Sequence, residues 1–327
     1  MNIRSQLLVL LEENRGRYLS GGTLAAELSV SRNAVWKAVE SLRGSGYGIS
    51  AVKSKGYRLD DSGDILSDDG ISCRFRHSGV FRVDTRKSVT STNTVLRDLA
   101  SKGAPEGYVV AAEGQTEGKG RQGRSFQSPS GHGVYFSVLL RPSYSSADVA
   151  LITPAAAVAA ARAIRDVFGL QVGIKWVNDL MVSGRKVCGI LTEASFDMES
   201  GMIDSAVLGI GINVTLPEHG FSEDLENIAA SLTDRQAGKD DERCKLIAAT
   251  LDYFWDFYED LPSRSFLDEY RKPSVVTGRD IYVLSGGEKK PARALEINDD
   301  SGLVVRYENG ETEVLRSGEV SVRVASG

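Results

Sequence analysis

The spacing of apolar positions divides the chain into a short head, a long mixed body and a small tail. Leu7, Leu8, Leu10 and Leu11 form the stripe of a first amphipathic helix, closed by Glu12 and Glu13. Two further helical patterns follow in "SGGTLAAELSVSRNAVWKAVESLRGSGY", joined by a tight turn at Ser29-Val30-Ser31. Ala25, Leu28 and Val30 are expected to face inward from the first of these, and Val35, Val39 and Leu42 from the second. Ser31 stands where a hydroxyl caps the second helix, and Trp36 reads as partly core. "GYGISAVKSKGYRL" then predicts two short strands around Lys53-Ser54-Lys55-Gly56.

In the body the period changes repeatedly. Residues 88–142 predict a polar cluster, a helix, a strand, a glycine-rich loop and another strand. "TPAAAVAAARAIRDVFG" predicts a helix from Thr153 with Pro154 in its first turn. "VGIKWVNDLMVSGRKVCGILTEASF" predicts two strands split by a turn at Ser183-Gly184, and "AVLGIGINV" a buried strand carrying glycines. From about Pro273, apolar and polar residues alternate between Gly and Asn/Asp turns, which predicts a small all-β cap of SH3-like kind. Strict βαβ alternation is missing, so the fold class is α+β and multidomain, with a mixed central sheet. The expected boundaries are 1–62 for the head, 63–272 for linker and body, and 273–327 for the cap.

Charge sharpens the division. Residues 1–59 carry nine Lys/Arg against four acids, about +5, while the whole chain of 327 residues is −5 and the remainder therefore near −10. A basic head on an acidic body points to an appended nucleic-acid-binding module. Ser31, Arg32, Asn33 and Lys37 lie at the start of a candidate recognition helix, and Lys53 and Lys55 at a hairpin tip suited to phosphate contact. Helix-turn-helix plus basic hairpin reads as a winged helix; a small helical protein-interaction module is the alternative. The acidic, glycine-containing "DDSGDILSDDG" serves as linker.

Three scattered cysteines (Cys73, Cys188, Cys244) suggest reduced thiols and no disulfide framework. No apolar run nears the roughly 20 residues of a bilayer span, and the N-terminus lacks a leader's cleavage site. A cytoplasmic protein without a membrane partner is expected.

The chemistry is narrowed by what is missing. There is no GxxxxGK[ST], no strand–GxGxxG–helix and no spaced pair among the three histidines, which leaves no nucleotide fingerprint of those kinds, no histidine triad and no metal site. Anion-handling groups remain. "EGKGRQGRSF" alternates glycines with Lys119, Arg121 and Arg124, so that amides and cations could surround an anion; a basic tether or a nucleic-acid arm would be written the same way. A hairpin would bring Asp179, at the end of one strand, beside Lys186 at the start of the next. In "GIGIN", Gly209 and Gly211 leave room for a flat or bulky group.

Taken together, "STN" (91–93), "GKGRQGRSF" (118–126), "KWVNDLMVSGRKVCGIL" (175–191), "GIGIN" (209–213) and "GEVSVR" (318–323) behind a winged helix resemble the bifunctional biotin–protein ligase/biotin operon repressor family along essentially the full length. That resemblance implies a class II synthetase-like ligase domain. It also implies a two-step reaction: biotin and MgATP give biotinyl-5′-AMP, and biotin then passes to one lysine of a biotin carboxyl carrier protein. The adenylate-bound homodimer would repress transcription at operator DNA; a ligase-inactive biotin sensor is the alternative.

By the same resemblance Ser91, Thr92, Asn93 and Gln115 would hold biotin, with Gly118, Lys119, Gly120 and Arg121 in a loop closing over the adenylate. Lys186 would meet carboxylate and phosphate, with Asp179 positioning it or acting as base. Phe126 and Asn178 would meet the adenine. Gly189, Gly209 and Gly211 would shape the floor, and Arg124, Asn213, Glu319 and Arg323 would lie near the nucleotide. Lys119 stands where the family usually has arginine, Phe126 where tryptophan is common, and Val177 where proline is common.

Overall fold

A computed structural model describes residues 2–60, 64–196, 203–235, 238–239, 241–285 and 288–322. The head holds α1 (Ile3–Glu13), α2 (Gly21–Glu27) and α3 (Arg32–Gly44), then the hairpin of β1 (Ile49–Val52) and β2 (Gly56–Leu59). Each helix starts at a side chain that satisfies an otherwise orphan amide: Asn2 accepts from Ser5 N, Ser20 from Thr23 N and Ser31 from Ala34 N. Leu7, Leu8 and Leu11 of α1 pack with Leu24, Val35, Val39 and Leu42 into one small core. At Gly56 (φ +105) a Cβ would lie 2.0 Å from the Leu19 carbonyl oxygen, so only glycine lets the hairpin approach that segment. The expected helix-turn-helix and wing are both present. Trp36, expected partly in the core, is instead 51% exposed. Val35, Val39 and Leu42 fill the inward stripe of α3, and the next residue after Val35 points out.

α4 (Asp68–Ser72) leads into the body, whose elements are β3 (Arg82–Val89), α5 (Thr92–Ser101), β4 (Tyr108–Gln115), β5 (Gly133–Leu140), α6 (Ser146–Val149), α7 (Ile152–Phe168), β6 (Gly173–Lys175), β7 (Asp179–Val182), β8 (Arg185–Phe196), β9 (Ile203–Asn213), α8 (Glu242–Tyr258) and α9 (Leu267–Arg271). Seven strands form one sheet in the order β3-β4-β5-β9-β8-β7-β6. The β3·β4 pair is parallel and the other five are antiparallel, the mixed sheet expected. Both faces of its centre are covered. Val109, Ala111, Phe136 and Val138 pack on the α7–α8 side, and Val110 and Leu139 on the α5 side. That explains why β5 reads "GVYFSVLL", with every residue buried, in place of an alternating pattern. Among the described residues one helical stretch, Ala147–Phe168, is long and apolar enough to cross a membrane, yet most of it is buried in this core.

The cap is a five-stranded antiparallel sheet of β10 (Asp280–Ser285), β11 (Glu288–Ile297), β12 (Leu303–Tyr307), β13 (Thr312–Leu315) and β14 (Glu319–Val322), in the order β13-β12-β11-β10-β14. The chain enters it along the edge of the central sheet, where Ile174 N donates to the Pro273 carbonyl (2.8 Å) and Val275 N to that of Ile174 (2.9 Å). Trp176 Nε1 donates to the Ser301 carbonyl at 2.9 Å, seating the cap on the β6–β7 turn.

The head is locked to the body by a buried ionic group. Arg15, just past α1, and Arg74, just past α4, each reach Asp241 at 3.2 Å, and Glu12 lies 2.8 Å from Arg15 and 3.3 Å from Arg74.

Candidate functional site

The first turn of α5 buries three polar residues against the sheet. Ser91 is its N-cap residue and makes no side-chain cap bond, so its hydroxyl is not committed to the helix end. Thr92 N donates to Gln115 Oε1 (2.8 Å), and Gln115 Nε2 donates to Ser128 Oγ (2.8 Å). Ser137 Oγ lies 2.7 Å from Thr92 Oγ1 and 2.6 Å from Asn93 Oδ1, while Asn93 Nδ2 donates to Glu193 Oε2 (2.8 Å). Arg97 pairs with Glu193 at 3.4 Å. A continuous hydrogen-bonded chain therefore fixes the carboxamides of Asn93 and Gln115, giving a rim of oriented donors and acceptors.

The floor beside this rim is made of glycines from two adjacent strands, paired Gly189↔Gly211 and Leu191↔Gly209. A Cβ on Gly209 would fall 2.0 Å from Asn93 Oδ1, and one on Gly211 would fall 2.6 Å from the Phe126 ring. These glycines are close-approach positions: any side chain would displace a neighbour that the site uses. The resulting pocket holds about 450 Å³ of space between atoms, the open solvent at its mouth included.

At its other end stand the charges. Lys186 Nζ lies 2.7 Å from Asp179 Oδ1 and 5.9 Å from the centre of the Phe126 ring. Asp179 begins β7 and does not end a strand as expected. A register shift at Leu180/Met181 sets Lys186 opposite Met181, and the long side chain makes up the difference. Arg121 Nη1 donates to Asn178 Oδ1 (3.2 Å) and to the Gly318 carbonyl (3.0 Å), and Arg124 pairs with Glu319 at 2.6 Å. The glycine-rich loop thus touches the cap at two points. Within the loop, Gly120 N donates to the Arg124 carbonyl (2.7 Å) and Phe126 N to that of Gly118 (2.8 Å), with Gln122 (φ +55) and Gly123 (φ +75) turning the chain. Burial pushes the Cys188 thiol well up, which leaves no thiolate nucleophile beside Gly189.

Gly120, Arg121, Phe126, Asn178 and Lys186 line both this cavity and a larger open cleft between body and cap, with about 2160 Å³ of empty space. Ser91, Thr92, Asn93, Gln115, Lys119, Gly189, Gly209 and Gly211 line the small cavity; Arg124, Asp179, Asn213 and Glu319 line the cleft. Gly118 lines neither; its carbonyl accepts from Phe126 N. Asn213 is buried, and its Nδ2 donates to the Ala230 carbonyl at 3.1 Å. Arg323 lies outside the described residues. Ser137, Ser128 and Glu193 were not expected. Ser137 carried one sequence signal: it is the sole hydroxyl inside an otherwise apolar strand apart from a tyrosine. On the head, Ser31, Arg32, Asn33, Lys37, Lys53 and Lys55 are all exposed, as a nucleic-acid face requires.

Residues 85–213 match the model of the biotin/lipoate A/B protein ligase family, and residues 3–58 match an HTH domain. A bifunctional ligase/repressor of Bacillus subtilis is 35% identical over 94% of this chain and 95% of its own length, and that of Escherichia coli is 27% identical over 98% and 97%. A biotin protein ligase from Aquifex aeolicus, solved in complex with biotin and ATP, shares the fold with a TM-score of 0.61 at 24% identity, covering 74% of this chain and 98% of that one. With helix-turn-helix head, ligase sheet and cap all matched in order, the chain belongs to the bifunctional ligase/repressor family.

Proposed function

We propose that the chain is a biotin–protein ligase that also represses transcription. In the first step the biotin carboxylate attacks the α-phosphorus of MgATP, forming biotinyl-5′-AMP and releasing pyrophosphate. In the second, a lysine amine of a biotin carboxyl carrier protein attacks the acyl carbon, AMP leaves and the amine's proton passes to a base. One observation carries this reading: an uncharged rim (Ser91, Thr92, Asn93, Gln115), its two carboxamides fixed by hydrogen bonds, lines one cavity together with a pair of cations, Lys186 and Arg121, and a glycine floor. A neutral ureido ring fits the first end, and two mutually repelling anions, carboxylate and α-phosphate, fit the second. Fixed cations there supply electrostatic preorganisation, and holding both reactants supplies proximity.

In this assignment Lys186 meets both anions and Asp179 positions Lys186 or takes the acceptor's proton. Phe126 and Asn178 bound the adenine side. Lys119, Gly120, Arg121 and Arg124 form a lid completed by Glu319, with Arg323 as a further nucleotide contact from the cap. Magnesium arrives with ATP. The head, residues 1–62, binds operator DNA through α3 and the wing, and lid closure favours a homodimer that places two heads on one operator. Residues 63–272 are the ligase unit and 273–327 the cap.

The test is transfer of labelled biotin to a purified carrier domain with ATP. Lys186→Ala is expected to lower the rate at least about 100-fold, the scale of losing one preorganised transition-state partner; a near-normal rate would refute the assignment.

A further inference from the structure

The face of α3 turned away from the head's core carries Arg32, Asn33, Trp36 and Lys37, positions that share one side of a helix. Trp36 lies one helical turn after Arg32 and directly before Lys37, with half its surface in solvent. A single exposed apolar side chain is ordinary by itself, and its surroundings decide its meaning. Among the described residues neither Arg32 nor Lys37 has a carboxylate partner, while Glu40, one turn on, is taken up by Arg43 at 2.7 Å. The wing adds exposed Lys53 and Lys55 beside the exposed Val52. The body meets the head through α4, which packs on α1, and among the described residues nothing covers this face of α3. A cationic rim around an indole suits a polyanion that offers an apolar feature at its centre. In the major groove of DNA that feature is the C5-methyl group of thymine.

We propose that Trp36 is a base-reading side chain. Its indole packs on a thymine methyl while Arg32 and Lys37 meet the flanking phosphates. This rests on the DNA-binding half of the function proposed above.

The experiment selects from a randomised duplex library with the full-length protein, biotin and MgATP, using wild type, Trp36→Ala and Trp36→Phe. Each variant is first checked for an unchanged melting temperature, as expected for a side chain outside the core. Each dT of the selected duplex is then replaced by dU, which removes the methyl alone. Wild-type binding is expected to weaken about fourfold at one or more thymines, the scale of one buried methyl group. Trp36→Ala should bind more weakly and be indifferent to the same replacement, while Trp36→Phe should keep part of the dependence. A Trp36→Ala protein that selects the same motif and shows the same methyl dependence overturns the inference with DNA binding intact. So does a wild-type duplex with no sensitive thymine. Failure of the wild type to enrich any motif refutes the DNA-binding reading itself.

Discussion

Single atoms decide the shape of the pocket. Gly209 faces Asn93 so closely that an added Cβ would meet its carboxamide oxygen at 2.0 Å, and Asn93 is itself held by Ser137 and Glu193. Gly209→Ala is therefore expected to disrupt the rim without emptying any core. Biotin affinity should fall about 10- to 100-fold by calorimetry, while the melting temperature changes little. Ser137→Ala should do less, about fivefold, because Asn93 keeps its bond to Glu193 and only its carboxamide oxygen loses a partner, the lower end of the cost of an unpaired buried polar atom at about 1 kcal/mol. Equal, negligible effects from both variants would remove the rim from ligand binding. The polar motif residues were readable in the sequence as a set. Ser137 and Glu193 were not, because they join Asn93 across 44 and 100 positions of chain and only the sheet register brings them together.

The glycine-rich loop, proposed above as a lid, is a different kind of object. Its two contacts with the cap, Arg121 to the Gly318 carbonyl and Arg124 to Glu319, cross about two hundred residues of sequence. The Arg124 side chain is 63% exposed, so its ion pair contributes little to overall stability. In the assignment proposed above its effect belongs to lid opening. Arg124→Ala should leave the melting temperature within about 1 °C and speed release of biotinyl-AMP by about two- to fivefold in a chase experiment, the scale of an exposed pair. Glu319→Ala should match it, and the double variant should add nothing. At this scale the sequence was legible in kind but not in phase. The hairpin between Asn178 and Lys186 was expected, whereas the bulge at Leu180/Met181 that sets its register has no signature. Trp36 was misplaced for a related reason: helical spacing finds the inward stripe but does not say that Val35, Val39 and Leu42 already fill it.

At the scale of the whole molecule, head and body meet around Asp241, whose side chain is 1% exposed. Burial first, and then the hydrogen bond and charge of Glu12, push the Asp241 carboxyl up to about 7. Burial would raise Glu12 as well, but its bonds to Asp241 and Arg15 and the nearby Arg74 hold it below its ordinary value. The signs differ accordingly. A carboxyl with a raised folded-state pKa binds its proton more tightly when folded, so its contribution is complete below the ordinary value of 3.8 and is lost as pH rises through about 7. Glu12 contributes the other way, fully above 4.5, and is flat across neutral pH. Asp241→Asn mimics the protonated form. Its stability in denaturant relative to wild type should rise between pH 5 and 8, by about 2 kcal/mol at the upper end. A difference that stays constant over that range would exclude Asp241 as the titrating group.

The same junction bears on how the molecule is dissected. A cut near residue 62 looks natural, since it falls in an acidic linker between two recognisable modules. It would strip Glu12 and Arg15 from Arg74 and Asp241, Arg4 and Ser5 from Asp69, and Tyr47 from Ser67. The remaining fragment would carry at its new surface a carboxylate shaped for burial. A ligase prepared without its head is in this sense a mutant at Ser67, Asp69, Arg74 and Asp241, and its kinetics would describe that mutant and not the isolated catalytic unit.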